Sequence, residues 1–436
     1  MRRALGWRDG IHRDSLKGMT SHGPRRFPLA VGAAAIAATA AFAFTPGTAP
    51  SATATTPIKA GAAADARIDQ VGTWGTAVDS TALKVVDQTV RNIVHTSVGG
   101  SNLRISLSNA YGSVPVTFDS VWVGQAGQGA AIAAGSNRRL SFGGSPSVTV
   151  PVGAEVLSDP VPGDVPAQST LSVSIHVVGD AGTVSGHKLA HQTNFISTPG
   201  DHGGEEFAGS FQTPTTSYAW VESAVVDAPQ QVDTVVALGD SITDGDKSTT
   251  STNRRWPNLL ASRILAGPKP HQFGVMNAGI SGNRVLADGP GVSAQARFDR
   301  DVLAQPDVST VVVMEGVNDL RWELATKPAD LIQAYRQLIG RAHARGVCIV
   351  GGTITPWEGG SLWSEPKDAI RGEVNAWIRT SGEFDAVVDF DAAVRDPAQP
   401  SRILAAYDSG DHLHPGDAGY QAMANAVDLD SLECTR

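Results

Sequence analysis

Cysteine is scarce in this chain of 436 residues: Cys348 and Cys434 are its only two. In an exported protein such a pair closes a disulfide; two buried free thiols are the alternative. No grouping of Cys and His has zinc-ligand spacing, so no metal is expected. Charge is sparse as well, at 18% of residues with a formal net charge of −9. No basic stripe stands out, which argues against a nucleic-acid partner. Beyond the N-terminal segment there is no apolar run of about 18 residues, so no stable membrane span is expected once that segment is removed. No G-x-S-x-G pentapeptide occurs, which excludes a nucleophilic serine on the elbow that motif builds. G-x-G-x-x-G is also missing from the first loop of the C-terminal half, which disfavours a dinucleotide site.

What is present suffices for two domains with sizeable cores, since 41% of residues are hydrophobic. The 47 glycines and 25 prolines imply many turns. Arg25 and Arg26 precede an Ala-rich apolar stretch over residues 27–44, and Ala52-Thr53-Ala54 offers a cleavage site. Basic, apolar and small-residue regions in that order read as a secretory signal over residues 1–54, which makes the mature protein extracellular; a retained anchor is the alternative. The leader is long, Met19 is a second candidate start, and the Arg pair matches a twin-arginine signal only in part. Residues 55–65 are low in complexity and read as a disordered linker.

Residues 66–226 read as strands. Leu103-Arg104-Ile105-Ser106-Leu107, Val114-Pro115-Val116-Thr117-Phe118 and Leu171-Ser172-Val173-Ser174-Ile175-His176 largely alternate apolar and polar side chains between turn residues. Pro115 belongs at a strand start or a sheet edge. The expectation is an antiparallel β-sandwich of jelly-roll type. The period changes near Val232. Apolar strands are expected at 235–238, 273–278, 308–314, 347–350 and 386–390. Between them Trp256/Leu259/Leu260/Ile264/Leu265, Leu331/Ile332/Tyr335/Leu338/Ile339 and Ile370/Val374/Trp377/Ile378 recur at helical spacing, and a last helix starts near Asp417. Alternating strands and helices over residues 232–430 imply an α/β domain on a parallel, doubly wound sheet.

Ligands of such sheets bind beyond the carboxyl ends of the strands. There the chain carries Gly239-Asp240-Ser241-Ile242-Thr243-Asp244-Gly245, then Gly279-Ile280-Ser281-Gly282-Asn283, Glu315-Gly316-Val317-Asn318-Asp319, Thr353-Ile354-Thr355-Pro356, and Gly410-Asp411-His412-Leu413-His414-Pro415. A serine hydroxyl attacks an ester only with a base in reach and a carboxylate to orient that base. Ser241 lies on a turn at a strand end. Asp411 and His414, three residues apart, supply the carboxylate and base from one loop, and His412 competes without an Asp at that spacing. Donors for the developing oxyanion are the backbone N–H groups of Ser241 and Gly282 and the Asn318 amide. Asp240 either orients the Ser241 loop or only caps its turn. Trp357 and Trp363 either line a cleft or pack the loop, and Asn283 and Arg284 are equally open.

These four blocks resemble the SGNH hydrolase superfamily, the GDSL esterases and lipases. The blocks are Gly239-Asp240-Ser241 with Asp244-Gly245, Gly282 after Ser281, Gly316-x-Asn318-Asp319, and Asp411-x-x-His414-Pro415. The resemblance covers roughly residues 232–430 and implies a flavodoxin-like three-layer fold with a Ser-His-Asp triad. Ile242 stands where the family's short name has Leu. Thr96-Ser97-Val98-Gly99-Gly100, Leu103 to Asn109, Trp377-Ile378-Arg379 and Asp408-Ser409-Gly410-Asp411 are similar to exported actinobacterial members with a β-rich domain before the catalytic one. Some polysaccharide deacetylating esterases share that arrangement, so an acylated carbohydrate is expected as substrate by analogy only; short-chain and lipid esters stay open.

The expected function is secreted, cofactor-free ester hydrolysis through an acyl-enzyme. An acyltransferase using the same triad and a non-catalytic glycan-binding protein are the rivals. An intact triad speaks against the second.

Overall fold

The protein is described here from a computed structural model, which covers residues 68–267 and 272–434. The expected signal over 1–54 and linker over 55–65 lie outside the described residues. No helix among those described is long and apolar enough to cross a membrane.

The first part is built of strands. Its strands include β1 (Ile68–Gly75), β2 (Val86–His95), β3 (Gly100–Ser108), β4 (Val116–Gln125), β5 (Thr170–Asp180), β6 (Ser185–His187), β7 (Asn194–Pro199) and β8 (Val221–Pro229). β1, β8 and β3 pair in that order in one antiparallel sheet. β7, β2, β5 and β4 pair in a second. Alternation decides which side chains meet. Ile105 and Leu107 of β3 and Ala224 and Val226 of β8 share one core with Val90 and Val94 of β2, Val121 and Val123 of β4, and Val173 and Ile175 of β5. Two sheets around one apolar layer make a sandwich, as the alternating pattern implies. Pro115 sits just before β4, where its missing N–H costs no ladder bond.

From Val232 the chain alternates. The strands are β9 (Val232–Gly239), β10 (Gln272–Gly279), β11 (Val308–Met314), β12 (Cys348–Gly352) and β13 (Ala386–Val388). The helices are α1 (Ser241–Asp244), α2 (Trp256–Ala266), α3 (Ala294–Phe298), α4 (Val317–Arg321), α5 (Pro328–Ala344), α6 (Glu365–Thr380), α7 (Phe390–Val394) and α8 (Asp417–Ala426). All strands run parallel in the order β10-β9-β11-β12-β13. The sheet is covered on both faces, so its strands are apolar on both sides. Val236, Leu238, Val311 and Val313 pack with Phe298, Leu331, Leu338 and Val374. Val235, Ala237, Val312 and Val350 pack on the other side with Trp256, Leu260, Phe390 and Tyr420. The result is the expected flavodoxin-like three-layer fold.

Two details differ from the sequence reading. The fifth strand stops at Val388, because Asp389 caps α7 by accepting from the Ala392 N–H, and Phe390 turns into the core as a helical residue. A short antiparallel hairpin, Arg395–Asp396 with Gln399–Ile403, follows it. Cys348 and Cys434 form a disulfide with Cα atoms 5.9 Å apart. It closes a loop spanning 86 positions, a constraint of roughly 4 kcal/mol on the unfolded chain.

The sandwich and the three-layer unit are tightly joined. The Gly72 N–H donates to Thr234 Oγ1 at 2.9 Å, and the Val275 N–H donates to Ser97 Oγ at 2.8 Å. Met276 fills the space a side chain at Gly72 or Gly75 would need. Arg300 Nη1 donates to the Tyr111 hydroxyl at 2.6 Å.

Candidate active site

The site lies where β9 has its neighbours β10 and β11 on opposite sides, so that the loops after these three strands diverge around one point. After Gly239 the backbone turns at once into α1. Asp240 caps it, its Oδ1 accepting from the Ile242 N–H at 2.9 Å. Gly245 ends it with φ of 99° and donates its N–H to the Ser241 carbonyl at 2.9 Å. That left-handed conformation, with the Arg255 stem against the α-carbon, leaves no room for a side chain. Ser241 is therefore held at the first position of a one-turn helix directly above the strand.

The loop after α7 and its hairpin brings the other two groups. Ser241 Oγ lies 2.8 Å from His414 Nε2, and His414 Nδ1 lies 2.7 Å from Asp411 Oδ2. Asp411 Oδ1 also accepts from the N–H groups of Leu413 and His414, at 3.0 and 2.8 Å. Burial pushes the Asp411 carboxyl up, but the imidazole and these N–H donors outweigh it and hold it at about 2. An ionised Asp411 at Nδ1 puts the imidazole proton there and leaves Nε2 as acceptor for the serine hydroxyl. Asp246 Oδ2 also approaches Nε2, at 3.6 Å. His412 points elsewhere: it is exposed and pairs with Asp408 Oδ2 at 2.5 Å.

The oxyanion candidates lie on the turns after β9, β10 and β11. The N–H groups of Ser241 and Gly282 have no acceptor among the described residues. Gly282 has φ of 82° with Pro290 packed beneath its α-carbon. Asn318, buried, gives one Nδ2 hydrogen to the Asn283 carbonyl at 3.0 Å, while its Oδ1 accepts from Arg321 Nη1 at 2.9 Å. Arg321 thus dictates which way the amide faces, leaving the second Nδ2 hydrogen to donate. Asp319 accepts from the N–H groups of Val285 and Leu286, both at 2.9 Å, and so binds the loop after β10 to the loop after β11.

Below this layer sits Arg297, fully buried. It donates to the carbonyls of Ala278 and Gly239, at 2.6 and 3.1 Å, and to Asn283 Oδ1 at 3.0 Å, and it pairs with Asp301 and Glu315. One side chain thereby ties the ends of β9, β10 and β11. Burial pushes the carboxyl of Asp240 up to about 6, and burial together with the Asp240 charge pushes Glu315 well above the usual range.

Asp244 shows a link the sequence reading missed. Its Oδ2 accepts from the N–H and hydroxyl of Ser281, at 3.0 and 2.7 Å. Its Oδ1 meets Nε2 of His187, a sandwich residue, at 2.9 Å, and His187 Nδ1 lies 2.8 Å from the Ala77 carbonyl. Although burial opposes it, the Asp244 carboxylate raises the His187 pKa. The motif marks Asp244; nothing in the spacing marks His187, 57 positions earlier. Arg297 and Arg321 were missed because an arginine in sequence reads as surface by default. The open residues resolve toward structure. Trp357 is wholly buried in the core and no cleft wall, Trp363 packs against that core, and Asn283 braces its own loop through Pro290, Val292 and Arg297. The Arg284 guanidinium stacks 5.7 Å over Trp322.

Residues 237–422 match the GDSL-like Lipase/Acylhydrolase family. No curated protein matches the chain. Similar solved structures include Axe2, an acetylxylan esterase from Geobacillus stearothermophilus, at 23% identity over 47% of this chain and 96% of that one, with a TM-score of 0.35. LAE5, an alpha/beta hydrolase enzyme from the metagenome of Lake Arreo, is 21% identical over 46% of this chain and 95% of its own, with a TM-score of 0.36.

Proposed function

We propose that this chain, whose residues 237–422 match the GDSL-like Lipase/Acylhydrolase family, is an exported serine hydrolase of carboxylic esters with Ser241, His414 and Asp411 as its triad. One observation carries this reading: the unbroken relay from Ser241 Oγ through His414 to Asp411, with contacts of 2.8 and 2.7 Å. His414 Nε2 takes the hydroxyl proton as Oγ attacks the ester carbonyl, and Asp411 offsets the charge of the imidazolium. The N–H groups of Ser241 and Gly282 and the Asn318 amide stabilise the tetrahedral oxyanion. Collapse expels the alcohol, which leaves with the proton His414 returns. Water then attacks the acyl-enzyme with the same imidazole as base, releasing the acid and the free serine. Export rests on the order of basic, apolar and small residues over 1–54.

Ser241→Ala is expected to abolish hydrolysis of p-nitrophenyl butyrate without altering the melting temperature, and an alkyl fluorophosphonate should add covalently at Ser241 only. Wild-type activity in Ser241→Ala would refute the assignment. Product analysis with an added alcohol or sugar acceptor separates hydrolysis from acyl transfer.

A further inference from the structure

The segment that carries His187 also walls a pocket of about 260 Å³ between the sandwich and the catalytic unit. Leu189 forms one side; Ile280, Ser281 and Pro290 form the other. Its position is informative. Ser281 precedes Gly282, and Pro290 packs against the Gly282 α-carbon, so the pocket borders the loop assigned an oxyanion donor. None of its lining residues belongs to the 408–415 loop, where His414 must protonate the departing alcohol. A group seated there lies against the Gly282 loop and away from the 408–415 loop.

Its chemistry points the same way. Both Asp244 oxygens are engaged, by His187 and by Ser281. Lys188 at the rim pairs with Asp79 at 2.6 Å. A heavily hydroxylated occupant would find few free partners beyond the Lys188 ammonium at the rim, whereas hydrocarbon gains from burial against Leu189, Ile280 and Pro290. The His187–Asp244–Ser281 chain holds the Leu189 wall against the oxyanion loop, so the pocket's width is set by the sandwich.

We propose that this pocket is the acyl subsite, with Leu189 of the sandwich as the residue that sets chain length, and that the substrate acyl group is a saturated chain of short to medium length. The proposal rests on the triad reading above.

The test is kcat/KM for p-nitrophenyl acetate, hexanoate and palmitate in wild type, Leu189→Trp and Leu189→Ala. In Leu189→Trp the hexanoate-to-acetate ratio should fall by ~10-fold or more, the scale on which apolar pockets discriminate chain length. In Leu189→Ala the preference should move toward longer chains. Ratios within about twofold of wild type in both variants, with Ser241→Ala inactive, would overturn the subsite. Activity surviving in Ser241→Ala would instead overturn the triad. Leu189 is 41% exposed, so the indole needs no core space; should the melting transition nevertheless be lost, the ratio in Leu189→Ala decides.

Discussion

Asn318 has almost no freedom. One amide hydrogen goes to the Asn283 carbonyl and the oxygen to Arg321, so a single Nδ2–H remains for a ligand. Such a donor matters most where negative charge develops in the transition state. Asn318→Ala is expected to lower kcat by ~10²–10³ with a much smaller change in KM, as steady-state kinetics on a p-nitrophenyl ester would show. A loss confined to KM would remove Asn318 from the oxyanion role. At this scale the three side chains that meet, Ser241, His414 and Asp411, were each singled out in the sequence by their place beyond strand ends. Arg321 was not, although it lies one helical turn from Asn318, since that spacing is equally common for an idle surface arginine.

Among the elements, the three central strands matter most. Arg297 donates to carbonyls at the carboxyl ends of two of them, Ala278 and Gly239, and pairs with Asp301 and Glu315. Arg297→Ala takes the donor from the buried Ala278 carbonyl and from Asn283 Oδ1, so urea unfolding should show a loss of ~2–5 kcal/mol. A loss below ~1 kcal/mol would mean that the strand ends hold without it. Strand positions followed from apolar runs, and 308–314 was read with the bounds the fold has. The fifth strand was read too long because Phe390 continues its apolar run, while the cap by Asp389 that makes it helical depends on where the chain turns.

On the scale of the whole molecule, the sandwich is tied to the candidate site. His187 reaches Asp244, and Glu222 of β8 is buried near the seam, where its backbone carbonyl accepts from the Thr76 N–H at 2.9 Å. Burial, and then repulsion from Glu155, push the Glu222 carboxyl up to about 8, against a hydrogen bond from the Ser106 hydroxyl. A carboxyl raised on folding stabilises the protein below its unfolded pKa, near 4.5, and that contribution disappears as pH climbs to about 8. Glu222→Gln lacks this loss. Its melting temperature should therefore gain on wild type from pH 5 to about pH 8 and level off above that in thermal melts, and a difference independent of pH would show that Glu222 does not titrate in this window.

The order of motifs and the period of apolar residues determined the classes of structure and the chemical groups, because those depend on local spacing: alternation for the sandwich, continuous apolar strands for a covered parallel sheet, a serine and a histidine beyond strand ends. Only the tertiary structure decided that His187 grips Asp244, that Arg297 underlies three strands, that Trp357 is core, and that Leu189 lines a pocket with Ser281 and Pro290. Each of these joins residues from separate elements, and their meeting is set by how a sandwich packs on a sheet, which no local spacing encodes.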